Sequence, residues 1–277
     1  MKKFIAISLV VALFAGCQQT YMQVLETKST NAKEENNNFV YENDMVKVTY
    51  QFWHDQGLMA FSVFNKTDAP IYIDWSKSAF IYNQSKINYW TSDRRDANAG
   101  YFDKYCYNGP VMAPGYNISE EIGVRNSSKS YRAEKVSFIP PKSNYYRSQF
   151  RLMPEEFIPM DKDKYQVVAS NEDAKQKTKV YESAFDYKNS PLVVRNYITV
   201  SSSENFDKEV VVDNEFYVSS VKAMYIGHVL GKNTKEKNED GKYIFELPFK
   251  KNTSFYILHY DLTRVAGIKN DRYSTKF

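Results

Sequence analysis

Residues 45–53 read MVKVTYQFW, and the alternation in this stretch decides the fold class. Its apolar members Val46, Val48, Tyr50 and Phe52 fall on one face of an extended chain, and the polar residues between them fall on the other. A period of two is typical of a β-strand with one face buried and one face solvated. The stretch therefore predicts a half-buried β-strand.

The same period continues along the chain. Met59, Phe61 and Val63 alternate with smaller residues, so we expect a second strand, antiparallel to the first and joined to it through residues 54–57. Pro140 and Pro141 cannot donate to a sheet and are expected to end a strand. A helical pattern is weak and limited to residues 155–157 or 171–181. Further strands are expected at residues 71–75, 80–82, 136–139, 150–152, 193–200, 210–221, 243–247 and 254–260.

Composition supports the same fold class. Aromatic residues make up 16% of the chain, with 23 Tyr and 18 Phe, and these residues favour pleated, half-buried surfaces. Many short strands separated by turns predict an all-β fold, and we expect an immunoglobulin-like β-sandwich with long loops. A single domain over residues 39–277, with a C-terminal β extension, is expected. The polar spans 92–131 and 160–190 are long for ordinary connections, so each is either a loop with a function or a region with strands that the pattern does not reveal.

The first 17 residues follow the pattern of an export signal. Lys2 and Lys3 precede an uncharged apolar run over residues 4–14, and two small residues stand before Cys17. The run is shorter than the roughly 20 residues that a spanning helix needs. Residues 14–17, Phe-Ala-Gly-Cys, resemble a bacterial lipobox. The resemblance implies a signal peptide over residues 1–16 and a lipidated Cys17 that holds the mature chain on a membrane.

Residues 17–38 are mostly polar and predict a flexible tether. Tyr21, Met22, Val24 and Leu25 are an exception, and either an early strand or an exposed apolar patch would explain them. The chain has two cysteines, so lipid on Cys17 would leave Cys106 without an intramolecular partner.

Motifs that carry chemistry are missing from the sequence. His54, His228 and His259 lack ligand spacing, no G-x-S-x-G or phosphate-binding loop is present, and Cys106 is explained as a small packed hydrophobe. The formal charge of +4 includes Lys2 and Lys3 and is too small to indicate nucleic acid as a partner. We therefore expect no catalytic residue, no metal and no cofactor.

One loop combines aromatic and charged residues, from Tyr89 to Tyr107. Trp90, Tyr101 and Tyr105 are the predicted ligand-binding residues, because flat rings stack on sugar faces and also dominate protein interfaces. Three interpretations remain open: the rings cap one end of the sandwich, contact a partner protein, or bind a glycan.

Five segments carry a further resemblance: residues 61–75, 78–83, 136–142, 190–201 and 214–220. They resemble uncharacterised envelope lipoproteins of the Bacteroidota. The resemblance implies a β-sandwich in an envelope lipoprotein and brings no activity or catalytic residue. Gln18, Gln19 and Thr20 stand where surface-exported lipoproteins of that phylum carry acidic residues, so we expect the periplasmic face of the outer membrane.

The leading functional hypothesis is a non-catalytic, membrane-anchored module that binds another envelope component. A glycan-binding module that uses the aromatic loop is the first alternative. An enzyme without a recognisable motif is the second.

Overall fold

The structure is a computed structural model, and it describes residues 21–90, 105–106, 134–154, 157–161, 163–169, 177–225, 233–237, 243–245 and 249–259. The described part is all-β, as predicted. It contains 16 strands: β1 (Tyr21–Ser29), β2 (Lys33–Glu35), β3 (Asn38–Glu42), β4 (Val46–Gln51), β5 (Leu58–Asn65), β6 (Ile71–Tyr82), β7 (Ser85–Asn88), β8 (Val136–Ile139), β9 (Asn144–Arg151), β10 (Tyr165–Ala169), β11 (Lys177–Ala184), β12 (Val193–Ser201), β13 (Glu209–Tyr225), β14 (Asn233–Lys237), β15 (Tyr243–Phe245) and β16 (Ser254–His259).

The smaller of the two main sheets has five strands in the order β2-β3-β4-β5-β9. β4 and β5 are antiparallel, with Val48 opposite Val63, as the sequence predicts. Every second residue of β4 is buried, beginning at Val46, so the alternation that defines the strand also defines its core face.

The larger sheet has nine strands and is built on the 17-residue strand β13. One edge of β13 pairs with β1, which in turn pairs with the last strand, β16. The other edge pairs with β11 near Ala223 and with β12 from Glu209 to Tyr217. β11 and β12 therefore lie one after the other along the same edge of β13. β10 pairs with the outer edge of β11.

β6 continues the larger sheet next to β12 and carries a wide bulge. Asp74 pairs with Thr199 and Ala79 pairs with Tyr197, so residues 75–78 have no counterpart on β12. Before the bulge β6 pairs with β8, and after it β6 pairs with β7. The bulge places the side chain of Trp75 in the core, where it is fully buried.

The two sheets face each other across one large hydrophobic core, which gives a β-sandwich-like fold. Tyr50 and Phe52 from β4 and its extension meet Phe216 from β13, with ring centroids 4.8 and 4.9 Å apart. The immunoglobulin-like assignment stays a prediction.

A second, smaller cluster packs on the opposite face of β1. Met22 and Val24 contribute to this cluster, whereas Leu25 belongs to the main core. β1 is therefore buried on both faces. The second cluster contains Met22, Val24, Trp53, Leu58, Ala60, Val180, Met224 and Tyr256.

The turn between β4 and β5 joins the two sheets at one edge. Asp55 forms a parallel bridge with Tyr256 of β16, and its Oδ1 accepts a hydrogen bond of 3.1 Å from the Leu258 backbone N–H. Gly57 has φ +67°, and an added Cβ would lie 2.8 Å from Cγ of Phe255 and 2.9 Å from Cβ of Leu152. Only glycine fits this close approach.

Three sequence predictions differ from the structure. The flexible tether over residues 17–38 is wrong for residues 21–29 and 33–35, which form β1 and β2. Of the two interpretations left open for Tyr21, Met22, Val24 and Leu25, the early strand is the one observed, because the last three of these side chains are buried. The possible helix at residues 171–181 is wrong from Lys177 onward, where β11 begins. The irregular span 160–190 contains β10 and β11.

The region after residue 230 divides into two parts. β14 and β15 form a separate two-stranded sheet, and β16 belongs to the larger sheet. Among the described residues, no helix is long and apolar enough to span a membrane.

Candidate functional site

The residues at the two ends of the predicted aromatic loop pack on the sandwich. Tyr89 is 1% exposed and Tyr105 is 3% exposed, and the Tyr105 ring lies 4.7 Å from that of Tyr82. The expectation that Tyr105 presents its ring to a ligand is therefore corrected, because the ring is part of the core. Trp90 is half-buried and packs against the core. Tyr101 lies outside the described residues, as does Cys17.

A buried cation lies beside this end of the sandwich. Arg147, on β9, is 8% exposed and faces the main core. It pairs with Phe61 of β5, and a bulge between Ser148 and Arg151 then shifts the phase of β9 by one residue. Arg147 consequently shares the inner face with Tyr145, and Phe150 returns to that face after the bulge.

Two aromatic rings lie against the guanidinium group of Arg147, and a third packs on one of them. Its Cζ lies 3.9 Å from the ring centroid of Trp75 and 5.0 Å from that of Tyr89. The Tyr145 ring packs against Trp75 with centroids 5.6 Å apart. Guanidinium groups stack favourably on aromatic faces, and the attraction grows when the group is desolvated.

Hydrogen bonds fix the orientation of the guanidinium group. Nε donates to Oε1 of Gln149 at 2.9 Å, Nη2 donates to the same oxygen and to the Tyr89 carbonyl at 3.2 Å, and Nη1 donates to the Tyr145 hydroxyl at 3.4 Å. Gln149 Nε2 also donates to the Tyr89 carbonyl, at 3.1 Å. Arg147 and Gln149 together hold the carbonyl that directly precedes Trp90.

The charge of Arg147 has no ionic partner in the described part of the chain. Burial lowers the pKa of the guanidinium group below its ordinary value, although an arginine stays protonated at neutral pH. A guanidinium group has five N–H donors, and the bonds above leave one N–H of Nη1 unused among the described residues. A buried cation with a spare donor favours an anionic or strongly polar ligand group.

Trp90 and Lys135 form the outer layer of the same site. The Lys135 Nζ lies 5.7 Å from the Trp90 ring centroid, and the Lys135 backbone carbonyl accepts a hydrogen bond from Trp75 N at 2.9 Å. The Trp75 indole N–H donates to Ser137 Oγ at 2.7 Å. The half-buried Trp90, the exposed Lys135 and the guanidinium of Arg147 define what we call the Arg147 site.

A line of buried hydrogen bonds runs from the Arg147 site through the core. The Tyr89 hydroxyl donates to Asn196 Oδ1 at 2.7 Å, Asn196 Nδ2 donates to the Tyr50 hydroxyl at 3.3 Å, and Tyr50 donates to Asn214 Oδ1 at 2.8 Å. Burial raises the pKa of both tyrosines. Because every hydroxyl in this line donates in the same direction, the bonds reinforce one another.

The other predicted chemistry falls partly outside the described residues. His228 lies outside them, and the side chain of His259 is not described. His54 is half-buried, with Nδ1 2.7 Å from the Asp55 carbonyl oxygen. Cys106 is half-buried, and its backbone forms an isolated antiparallel β-bridge with Phe150. In the described ranges, no group of three or more His, Cys, Asp or Glu side chains is placed to hold a metal ion.

Sequence analysis did not single out Arg147. Arg147 stands two residues after Tyr145, so the two share a face of the strand, which is a weak signal of burial. The strand expected at residues 150–152 buries Phe150 and Leu152, however, and a strand without interruption would then place Arg147 on the solvated face. The bulge in β9 reverses this phase and brings Arg147 inside.

Comparison with protein-family models, with curated proteins and with solved structures finds no match to this chain.

Proposed function

We propose that the protein is a lipid-anchored envelope protein, held on the membrane through Cys17, whose sandwich binds another envelope component without catalysis. The observation that carries the proposal is the lipobox-like sequence at residues 14–17, behind a short apolar export signal. The lipobox resemblance implies three acyl chains on Cys17. These chains would give lasting attachment, since two anchoring signals already suffice.

A metabolic label tests the anchor. Cells that express the full chain with an alkyne analogue of palmitate should transfer the label to the protein. The variant Cys17→Ala should lose the label, and Cys106→Ser should keep it. Label that persists in Cys17→Ala, or that is missing from the unmodified chain, would contradict the proposal.

The periplasmic face of the outer membrane is the proposed location, because no acidic residue follows Cys17 before Glu26. Protease added to intact cells should leave the protein whole, and protease added after the outer membrane is permeabilised should cut it. Cleavage in intact cells would place the protein on the cell surface instead.

The Arg147 site is the proposed binding surface. A photo-crosslinking residue in place of Trp90 should capture an envelope component from intact cells, because Trp90 is half-buried and lies beside an exposed lysine. The same residue in place of Tyr187, which is 44% exposed and packs against Tyr217, is the matched control. Equal capture at both positions would count against a specific site.

An acidic glycan is the second candidate ligand, favoured by the guanidinium of Arg147 and by Lys135 next to the Trp90 ring. On a glycan array, binding of sugars that carry carboxylate or sulfate should be lost in Trp90→Ala and Tyr101→Ala and retained in Tyr187→Ala. Equal binding by all three variants would exclude this loop as the glycan site.

A further inference from the structure

We propose that the β10–β11 hairpin rests on the lipid surface in which Cys17 is anchored, with Val167 and Tyr165 in contact with the lipid. This inference rests on the proposed function, since it assumes that Cys17 carries lipid. It adds an orientation of the whole sandwich and a second membrane contact.

The first argument is the length of chain between the anchor and the fold. Only Gln18, Gln19 and Thr20 separate Cys17 from β1, which begins at Tyr21. Four residues span at most about 14 Å when fully extended. The end of the larger sheet at which β1 begins must therefore lie close to the membrane.

The second argument is that β10 and β11 lie at this same end. Tyr21 pairs with Tyr225 of β13 and with His259 of β16. On the other edge of β13, Tyr181 of β11 pairs with Ala223, two residues before Tyr225. β11 extends past this point to Lys177, so the hairpin reaches beyond the level of Tyr21.

The lateral distance is also short. β13 and β11 are the two strands that separate β1 from β10. At about 4.8 Å per strand, β10 lies about 14 Å from β1. A lipid group on Cys17 and the hairpin can therefore contact the same patch of membrane.

The exposed side chains of the hairpin fit a membrane interface. Tyr165 is 42% exposed, although it pairs with the buried Tyr181, and Val167, which pairs with Lys179, is 56% exposed. The Lys179 Nζ lies 4.5 Å from the Tyr165 ring centroid. An apolar valine, an amphipathic tyrosine ring and a lysine are suited to the boundary between acyl chains and anionic headgroups.

Two acidic residues next to the hairpin, Asp161 and Asp163, lie on the side away from the membrane, whereas Glu172 and Asp173 belong to the connection between β10 and β11, outside the described residues. Asp161 and Asp163 precede β10, whose direction carries the chain from Tyr165 toward the end near Tyr21. The Asp161 carboxylate pairs with Lys164 at 3.5 Å. The carboxylates of Asp161 and Asp163 are therefore kept away from anionic headgroups at Val167.

Fluorescence quenching of a label at Val167 tests the proposal. The full lipidated chain, in a Cys106→Ser background with Val167→Cys, is labelled with an environment-sensitive fluorophore. It is then reconstituted in vesicles of phosphatidylethanolamine and phosphatidylglycerol that contain nitroxide-labelled lipid. We expect a loss of emission at position 167 several times larger than at the control position.

Val211→Cys is the matched control. Val211 is also an exposed valine in the larger sheet, 42% accessible, on β13. It precedes Tyr225 by 14 residues, which places it about 45 Å farther along the strand. If Val167→Cys fails to fold, as judged by circular dichroism, Tyr165→Cys replaces it, with the same expected quenching.

The outcomes separate the inference from the proposed function. Lipidated protein with equal quenching at positions 167 and 211 overturns the hairpin contact and leaves the anchor intact. Protein without lipid on Cys17 overturns both. Lipidated protein with quenching confined to position 167 supports both.

Discussion

The hydroxyl of Tyr50 connects the two sheets through side-chain hydrogen bonds. It donates to Asn214 Oδ1 on β13 and accepts from Asn196 Nδ2 on β12, and all three residues are fully buried. A buried polar atom that loses its partner retains the cost of its desolvation. These residues therefore make the sandwich sensitive to the loss of a single oxygen atom.

Replacement of Tyr50 with Phe should lower the free energy of unfolding by about 1–3 kcal/mol, because two amide groups lose their partner. Urea denaturation followed by circular dichroism measures the change. Tyr41→Phe is the control, since Tyr41 packs against the same core and its hydroxyl makes no hydrogen bond within the described residues. Equal effects of the two substitutions would show that the buried bonds contribute nothing specific.

Two carboxylates respond to pH in opposite directions. Burial raises the pKa of Asp55, and this effect exceeds the opposing hydrogen bond from the Leu258 backbone. Burial also acts on Glu26, but the hydrogen bond from Lys222 and the charges of Lys222 and Lys251 lower its pKa further than burial raises it. Ionisation is therefore unfavourable for folded Asp55 and favourable for folded Glu26.

Asp55→Asn and Glu26→Gln should change the pH dependence of stability with opposite signs. Folding raises the pKa of Asp55, so the stability contribution of Asp55 is lost as pH rises through that pKa. The free energy of unfolding of Asp55→Asn should therefore increase relative to that of the unmodified chain as pH rises toward neutral. Folding lowers the pKa of Glu26, so its contribution is present above the unfolded pKa and is lost as pH falls through the folded one. The free energy of unfolding of Glu26→Gln should therefore decrease relative to that of the unmodified chain as pH rises toward neutral.

Urea midpoints of the three proteins, measured between about pH 3 and pH 7, test this pair. Each variant is the control for the other, since both remove one carboxylate. Parallel curves for all three proteins would refute the assignment.

At the scale of strands, β1 makes residues 21–29 a structural element instead of a part of a tether. It pairs with β13 on one side and with β16 on the other, and its side chains enter both hydrophobic clusters. A strand buried on both faces lacks the alternation that marks a half-buried strand. The polar residues around it therefore predicted a tether.

Leu25→Ala should destabilise the protein by about 2–5 kcal/mol, the usual cost of truncating a fully buried leucine. Lys28→Ala on the same strand is the control, since Lys28 is exposed and should change stability little. Thermal unfolding measures both. An unchanged midpoint in Leu25→Ala would show that residues 21–29 contribute nothing to the fold.

The bulges of β6 and β9 determine the Arg147 site. One places Trp75 in the core, and the other, which follows Arg147, lets Arg147 and Phe150 share the inner face although they are three residues apart. A bulge changes the face of every residue after it, and its position depends on the partner strand. For that reason the sequence placed Trp90 near a site but did not identify Arg147.

At the scale of the whole molecule, the first and last strands of the larger sheet lie side by side and link the two clusters. β1 contributes to both clusters, and β16 is held to the turn at Asp55. If β1 leaves the sheet, buried apolar side chains of both clusters become exposed to water. We therefore expect the sandwich to unfold as one cooperative unit.

The tryptophans allow a direct measurement of this cooperativity. Trp53 lies in the smaller cluster and Trp75 in the main core. Unfolding of Trp53→Phe and of Trp75→Phe, each followed by fluorescence, should give a midpoint that coincides with the far-ultraviolet circular dichroism transition of the same variant. Separate fluorescence and circular dichroism midpoints in either variant would show two independent units.

The sequence by itself determined the all-β fold class, most strand positions and the core face of β4, because alternation and turn residues are local signals. It also supplied the lipobox-like residues before Cys17, which need no folded context. The tertiary structure decided the burial of β1 and Tyr105, the inward position of Arg147 and the place of β10 at the same end of the larger sheet as the start of β1. These features depend on contacts between residues distant in sequence, and no local pattern records which strand, ring or bulge a residue will meet.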